Sequence, residues 1–119
     1  MSFFSRFADS PQVDLASLLP PPDAQDPTLP SLALYVSPTC FYCVQVRRHL
    51  ERTSFPVELR DVRRNPEHAA ELRAGGGKTQ VPCLRIERPD GSLYWLYESR
   101  DIMRYLDALN DLLRTDRPD

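Results

Sequence analysis

Apolar and polar positions follow a regular order along most of this chain. A short apolar run over residues 32–36 predicts a first strand, and the apolar–polar alternation over residues 57–61 predicts a second, half-buried strand. Between them, the stretch from Cys40 to about Arg52 has the pattern of a helix. The first part of the fold is therefore predicted to be a strand–helix–strand unit.

The next segment predicts a second helix followed by a hairpin. Residues 65–67 (Asn-Pro-Glu) suit a helix start, because Asn is a good N-cap, Pro is tolerated at the first helical position and an acid suits the first turn. Residues 75–77 are three glycines, which predict the end of this helix and a flexible loop after it. Strands over residues 82–87 and 93–97 flank the Asp-Gly pair at 90–91, which is typical of a hairpin turn.

The chain ends in a predicted amphipathic helix, since four apolar residues recur at helical spacing: Ile102, Leu106, Leu109 and Leu113. The order β-α-β-α-β-β-α defines an α/β domain over residues 31–119. Because a β-α-β unit crosses over right-handed, the first two strands should be parallel neighbours. The hairpin should add two antiparallel strands, which completes a four-stranded mixed sheet.

Residues 1–30 are predicted to be an N-terminal extension. Six of the twelve prolines of the chain fall here, so no continuous helix or strand can run through it. Residues 20–30 have the composition of an extended linker. Residues 1–19 have a weak apolar pattern that leaves two interpretations open: a partly ordered tail, or a short helix that packs on the domain, a membrane surface or a partner.

Composition narrows the classes of function. A net charge of −2 without a concentrated basic face argues against binding nucleic acid. The apolar stretches are shorter than the roughly 20 residues that span a bilayer, and the N-terminus does not resemble a secretory signal. Three cysteines are an odd number, which suits a reducing compartment better than a secreted disulfide scaffold. We expect a cytoplasmic monomer.

The strongest chemical signal is the Cys-Phe-Tyr-Cys motif at residues 40–43. It follows the first predicted strand and opens the first helix, so both sulfurs should lie on one face of the first helical turn. Cys40 would lie where open backbone amides and the helix dipole favour an anion, and a cysteine in that environment ionises more easily. Thr39 or these amides would stabilise the thiolate. The motif predicts thiol–disulfide chemistry with Cys40 as the nucleophile.

Other polar residues offer weaker candidates. Zinc would need further ligands, and Cys83, His49 and His68 are not at the spacing of a zinc finger, so no metal site is predicted. Cys83 lies in an apolar strand and is expected in the core. The arginines at 60, 63 and 64 follow the second strand and form either a solvated loop or a basic group that attracts carboxylates.

Three motifs together resemble the glutaredoxin branch of the thioredoxin fold. The segment 35–43 (Tyr-Val-Ser-Pro-Thr-Cys-Phe-Tyr-Cys) is similar to the glutaredoxin active-site strand and turn, and 79–82 (Thr-Gln-Val-Pro) is similar to the loop that carries a cis proline. The segment 97–102 (Tyr-Glu-Ser-Arg-Asp-Ile) is similar to the start of the last helix, where the Glu-Ser pair also resembles the N-terminal domain of glutathione S-transferases.

The resemblance implies a set of roles at the site. Cys40 would attack a disulfide, and Cys43 would either resolve the mixed disulfide or remain a passive core cysteine in a monothiol mechanism. Contacts to glutathione would come from a second group of residues. That group comprises Tyr42, the backbone at Val81 and Pro82, Ser99 for the γ-glutamyl carboxylate, and Glu98 or Asp101 for the amino group.

This chain departs from the family in three places, one of which is the last-helix motif, where the family's usual glycines are absent. Glutaredoxins commonly have Lys three residues before the first cysteine, where this chain has Ser37, and Lys78 is the candidate to replace that cation. Phe41 stands where the family usually has Pro, and in the family the loss of that proline accompanies binding of an iron–sulfur cluster.

Three functions follow as alternatives. The first is a glutathione-dependent oxidoreductase that reduces disulfides or glutathionylated protein thiols. The second is a carrier of a [2Fe–2S] cluster held by Cys40 and glutathione across a dimer. The third is a glutathione-binding module similar to the transferase N-terminal domain, without redox turnover.

Overall fold

The computed structural model describes residues 15–19 and 29–115. Within them the chain forms four helices and four strands. In chain order these are α1 (Leu15–Leu18), β1 (Ser31–Val36), α2 (Phe41–Leu50), β2 (Glu58–Asp61), α3 (Pro66–Gly76), β3 (Cys83–Glu87), β4 (Leu93–Leu96) and α4 (Ser99–Thr115). From β1 onward this is the predicted order, and most bounds differ from the prediction by one or two residues.

The four strands form one mixed sheet in the order β2-β1-β3-β4. Strands β1 and β2 are parallel, with Val36 opposite Asp61, whereas β3 is antiparallel to β1, with Cys83 opposite Tyr35. Strand β4 pairs antiparallel with β3. The predicted parallel pair and hairpin are both confirmed. As a result, β1, β2 and β4 end, and β3 begins, at the same edge of the sheet, so the four adjoining loops meet there.

The alternation of side chains along β1 divides the interior into two clusters. Leu32, Leu34 and Val36 face α2 and α4, and pack in the larger cluster with apolar residues of those helices. Ala33 and Tyr35 point to the other face, where they pack with Leu72 of α3 and with Cys83, Trp95 and Tyr97. Cys83 is fully buried, as expected for a core cysteine. This two-sided burial explains the continuous apolar run of β1.

Helix α1 packs on the domain. Leu18 is buried in the larger cluster, with Leu15 and Leu19 against its margin, and the Arg88 guanidinium donates to the carbonyl oxygen of Ser17 at 3.1 Å. The described part of the extension thus corresponds to the packed helix and not to a detached tail. Residues 1–14 and most of the predicted linker, residues 20–28, lie outside the described residues.

Both ends of α3 are explained by local chemistry. Asn65 is the N-cap and its side chain accepts from the amide of Glu67, with Pro66 at the first helical position, as predicted. The predicted end of the helix within the three glycines is confirmed, because Gly75 and Gly76 form its last residues and Gly77, at a φ of 90°, is its C-cap. A Cβ at Gly75 would overlap the Trp95 indole, which explains why glycine is needed within the helix.

In the described part of the chain, no helix combines the length and the apolar character that crossing a bilayer requires.

Candidate active site

Cys40 caps the N-terminus of α2. Its backbone is extended (φ −91°, ψ 117°), and its Sγ accepts a hydrogen bond from the backbone amide of Cys43 at 3.1 Å. A turn bond from the Cys40 amide to the carbonyl oxygen of Ser37, 3.2 Å long, closes the loop after β1. The half-buried Sγ therefore occupies the position of an N-cap acceptor, where the open amides of the helix favour negative charge.

Cys43 lies one turn further along α2 and is buried, with 1% of its surface exposed. Burial, together with a hydrogen bond to the Cys40 side chain, raises the pKa of the Cys43 thiol to about 12. Cys43 is therefore a neutral thiol near pH 7. All three cysteines are free thiols, and the two of the motif are three residues apart at the start of α2.

The hydroxyl of Thr39 does not contact the sulfur of Cys40. It lies 3.3 Å from the Ser37 hydroxyl and accepts from Nη1 of Arg63 at 3.3 Å. The sequence predicts that Thr39 or the open helix amides stabilise a Cys40 thiolate. Of these, the Cys43 amide contacts the sulfur. The sequence predicts Arg63 either in a solvated loop or in a basic group that attracts carboxylates, and its reach to the loop before Cys40 follows from the parallel pairing of β1 and β2.

The loop before β3 forms the other side of the site. The Val81–Pro82 peptide bond is cis. The carbonyl oxygen of Val81 lies 3.7 Å from the Sγ of Cys40, within the range of a sulfur hydrogen bond. This places the main chain at Val81 in direct contact with the candidate nucleophile.

Tyr97 ties this loop to the end of β4. Its hydroxyl donates to the carbonyl oxygen of Lys78 at 2.9 Å and accepts from the Lys78 amide at 3.3 Å. The ammonium of Lys78 lies 5.4 Å from the centroid of the Tyr97 ring, an arrangement typical of a cation–π contact. A Cβ at Gly76 would overlap the Tyr97 hydroxyl, so the glycines of α3 leave room for this link.

A groove of about 590 Å³ runs from this loop to the start of α4. Ten residues line it: Tyr42, Gln80, Val81, Pro82, Tyr97, Glu98, Ser99, Arg100, Asp101 and Arg104. Six of the seven residues expected to bind glutathione line this groove. The seventh, Lys78, is not part of the lining and contacts the lining residue Tyr97 instead.

The start of α4 supplies open donors to the groove. The amide of Ile102 donates to the carbonyl oxygen of Glu98 at 2.8 Å, so Glu98, and not Ser99, occupies the cap position. Within the described residues the Ser99 hydroxyl has no hydrogen-bond partner. The first amides of a helix lack partners within the helix and bind carboxylates well. Asp101 lies 3.8 Å from Arg104, which makes this end of the groove mixed in charge.

Four lining residues were missed by the sequence analysis: Gln80, Tyr97, Arg100 and Arg104. Gln80, Tyr97 and Arg100 lie in motifs that were quoted for the resemblance, next to residues that were assigned to the site. Arg100 and Arg104 lie one helical turn apart on the first turns of α4. Their contribution depends on the tilt of α4 against the sheet, for which the sequence has no direct signal.

Comparison with known proteins agrees with this geometry. Residues 32–88 match the family model described as Glutaredoxin. A crystal structure of a mutant of the thioredoxin-like protein BC3987 superposes with a TM-score of 0.52 at 21% identity, covering 64% of this chain and 99% of that protein. A second structure of BC3987 has a TM-score of 0.51, 21% identity and coverages of 64% and 100%.

A less similar structure is the oxidised C-terminal domain of DsbD from Neisseria meningitidis, with a TM-score of 0.43, 20% identity and coverages of 67% and 79%. Comparison with curated protein sequences finds no significant match.

The sheet order, the capped Cys40 and the adjacent Cys43 define a protein with the thioredoxin fold, the fold of thiol–disulfide oxidoreductases. Residues 32–88, just under half of the chain, match the Glutaredoxin family model, so this part of the chain is similar to that family.

Proposed function

We propose that this protein is a glutathione-dependent thiol–disulfide oxidoreductase in which Cys40 exchanges disulfides beside a glutathione-binding groove. One observation carries the proposal. The half-buried Sγ of Cys40 lies 3.7 Å from the carbonyl oxygen of Val81, and Val81 also lines the groove. A thiol peptide that lies along the Val81 backbone would therefore hold its sulfur next to Cys40.

The groove suits a tripeptide with two charged ends. Its volume of about 590 Å³ falls in the usual range for small-molecule sites. The γ-glutamyl carboxylate would bind the open amides at Ser99 and Arg100, and Glu98 or Asp101 would bind the ammonium group. The main chain of Val81 and Pro82 would contact the cysteinyl residue, as an exposed backbone edge contacts an extended peptide. Tyr42 would lie along the ligand, and Lys78 would act through Tyr97.

The first chemical step is attack by the Cys40 thiolate on the glutathionyl sulfur of a protein mixed disulfide. The protein–glutathione S–S bond breaks as the Cys40–glutathione S–S bond forms, and the protein thiolate leaves and takes a proton from solvent. No electrons are lost in this exchange, because one disulfide replaces another. The protein thiol is thereby reduced and Cys40 carries the glutathionyl group.

A second glutathione completes the cycle. Its thiolate attacks the glutathionyl sulfur on Cys40, which releases glutathione disulfide and restores the Cys40 thiolate. Alternatively, Cys43 attacks the sulfur of Cys40, releases glutathione and forms a Cys40–Cys43 disulfide, which two glutathione molecules then reduce. Because the Cys43 thiol is buried and protonated near pH 7, this second route needs a base to remove its proton.

The test is reduction of a glutathione mixed disulfide, coupled to glutathione reductase and run beside the same substrate with thioredoxin reductase. We expect turnover only with the glutathione couple, and none for Cys40→Ser. Turnover driven by thioredoxin reductase alone, or activity that survives Cys40→Ser, would contradict the proposal. Arg73→Gln, on the exposed end of α3, serves as a control for altered charge.

The cluster-binding alternative has one observation in its favour. Of the three cysteines, Cys40 is the only one not buried, and the Phe41 side chain next to it is 67% exposed, which suits an apolar contact with a second chain. Cys40 would supply the single protein ligand of each chain, and a bound glutathione thiol would supply the other. A brown dimer with visible absorbance after anaerobic purification would favour this alternative, and a colourless monomer from iron-replete cells would count against it.

The third alternative is a glutathione-binding module without turnover. A binding assay run beside an activity assay separates it from the oxidoreductase. Such a module would be retained on immobilised glutathione but would not accelerate disulfide exchange. We favour the oxidoreductase because the half-buried sulfur of Cys40 accepts from an amide at 3.1 Å at a helix N-terminus, where a thiolate is favoured. A cytoplasmic, monomeric protein acting on glutathionylated protein thiols remains our expectation.

A further inference from the structure

The turn after β2 brings a cation to the active-site loop on the side away from the groove. Nη1 of Arg63 donates to the Thr39 hydroxyl at 3.3 Å, and Thr39 directly precedes Cys40. Neither Arg63 nor Thr39 belongs to the lining of the groove. The ion pairs of the described chain do not include the guanidinium of Arg63, whereas Arg60 and Arg85 are each paired with glutamates. Arg63 is therefore a cation without a carboxylate of its own.

The backbone holds Arg63 in this position. The carboxylate of Asp61 accepts from the amides of Arg63 and Arg64 at 2.9 and 3.1 Å, and the amide of Val62 donates to the carbonyl oxygen of Val36 at 3.0 Å. The pKa of Asp61 is held below its usual range, first by the hydrogen bond from the Arg64 amide and then by the one from the Arg63 amide. The charges of Arg64 and Arg47 lower this pKa further. Asp61 is thus engaged with main-chain donors.

The surroundings of Arg63 are basic overall. The exposed side chains of Arg47 and Arg64 lie near enough to Asp61 to act on its charge, so two further arginines lie near the turn that carries Arg63. The groove side is balanced, because Glu98 and Asp101 are matched by Arg100 and Arg104. The two sides of the reacting sulfur therefore differ in charge.

A mixed disulfide has two halves, and only one of them can occupy the groove. We propose that Arg63 is a specificity-determining residue that binds an acidic side chain of the protein half, next to its glutathionylated cysteine. This inference rests on the proposed function, which places the glutathionyl half in the groove. Because the protein half must then leave on the other side of Cys40, its neighbouring residues pass the basic turn.

The consequence is a preference among protein substrates. A Glu or Asp beside the modified cysteine gains a charge-assisted hydrogen bond to the guanidinium, whereas a Lys is repelled by it. Since the pair is exposed to solvent, the preference should be about two- to fivefold in kcat/KM and should decline with added salt.

The test compares two glutathionylated peptides that differ only in having Glu or Lys beside the cysteine, with the mixed disulfide of glutathione and 2-mercaptoethanol as a substrate without a peptide half. Wild type, Arg63→Gln and the matched control Arg73→Gln are assayed at low and high salt. We expect wild type and Arg73→Gln to prefer the Glu peptide, and Arg63→Gln to lose the preference while turning over the small substrate normally.

Three outcomes would overturn the inference. If Arg63→Gln keeps the Glu preference, Arg63 does not bind the acidic residue. If Arg63→Gln slows all three substrates by the same factor, Arg63 binds glutathione itself. If wild type does not turn over the small substrate, the proposed function fails and this inference fails with it, so the two failures are distinguishable.

Discussion

Cys43 lies one helical turn from Cys40, but its thiol is sealed in the core while the thiol of Cys40 reaches the surface. The same helix therefore presents one accessible and one buried sulfur. Burial raises the pKa values of both Cys43 and Cys83 to about 12, so neither is ionised to a useful extent near pH 7. Since alkylating reagents react with thiolates, the three cysteines should differ in reactivity.

We predict that iodoacetamide at pH 7.5 modifies Cys40 first, and Cys43 and Cys83 far more slowly. Peptide mass spectrometry after a time course would show the order. Protein unfolded in urea is the control, and all three residues should be modified there at similar rates. Modification of Cys83 as fast as Cys40 in the folded protein would contradict the burial described here.

The unequal environments of the two cysteines also predict unequal effects of mutation. Cys43→Ser should retain reduction of a small glutathione mixed disulfide within about tenfold of wild type, a loss of about 1.4 kcal/mol in transition-state stabilisation. Cys40→Ser should lose it, because no other accessible thiol can replace the nucleophile. The coupled glutathione assay measures both, and equal losses in the two variants would rule out a route through Cys40 alone.

Two glycines of α3 are predicted to resist a substitution that normally strengthens a helix. Alanine is favoured over glycine in helices by about 1 kcal/mol. A Cβ at Gly75 would overlap the Trp95 ring and one at Gly76 the Tyr97 hydroxyl, so each change to Ala should instead destabilise the fold by about 1–3 kcal/mol, as overpacking does. Urea unfolding would measure the loss.

Gly77→Ala provides the contrasting variant. No atom lies within 4 Å of a Cβ built there, but the φ of 90° is unfavourable for alanine, so its cost is one of backbone conformation. Only Gly76→Ala should also raise the KM for glutathione, because Tyr97 lines the groove. Stabilisation by Gly75→Ala or Gly76→Ala would show that the aromatic rings move aside freely.

The buried hydroxyl of Tyr105 predicts a stabilising substitution. It has no hydrogen-bond partner among the described residues, and an unpaired buried hydroxyl costs about 1–3 kcal/mol. Tyr105→Phe should therefore leave stability at pH 7 unchanged or raise it by about 1 kcal/mol. Urea unfolding of the two proteins side by side would measure the difference, and a loss of stability in Tyr105→Phe would reveal a partner for the hydroxyl.

Alkaline pH should widen the difference in stability between wild type and Tyr105→Phe. Burial raises the pKa of Tyr105 to about 12, above the value of about 10 for an unfolded tyrosine. Between these values the unfolded state loses the proton first, so the tyrosine's contribution is complete below about pH 10 and is lost as pH rises toward 12. Tyr105→Phe should weaken the fall in stability between pH 8 and pH 11. An identical fall in both proteins would assign the loss to other groups, such as Cys43 and Cys83.

Much of the fold could be predicted because the local signals agree with the tertiary contacts. The buried run at 32–36, the cap at Asn65 and the Asp-Gly turn each specify an element through its own sequence. The need for glycine at position 75 could not be predicted this way. It depends on Trp95, which is distant in sequence and packs where any larger side chain would collide.

The same distinction between local sequence signals and distant contacts applies to the candidate site. Cys40, Cys43, Val81 and Ser99 were found because they stand in motifs of recognisable spacing. The sequence predicts that Lys78 contacts glutathione, but its ammonium lies over the Tyr97 ring and Lys78 does not line the groove. This placement depends on the conformation of the loop, which the sequence does not specify. The reach of Arg63 to Thr39 arises from the pairing of two strands across the sheet, and no local pattern records it.

The docking of Leu18 changes where the folding unit begins. Its side chain fills part of the interior that the sheet and the two helices above it do not close by themselves. A chain trimmed to start at Ser31 would open a hole there and leave the guanidinium of Arg88 without its carbonyl acceptor. Helix α1 is therefore part of the folded domain, and protein prepared for biophysical work should retain it.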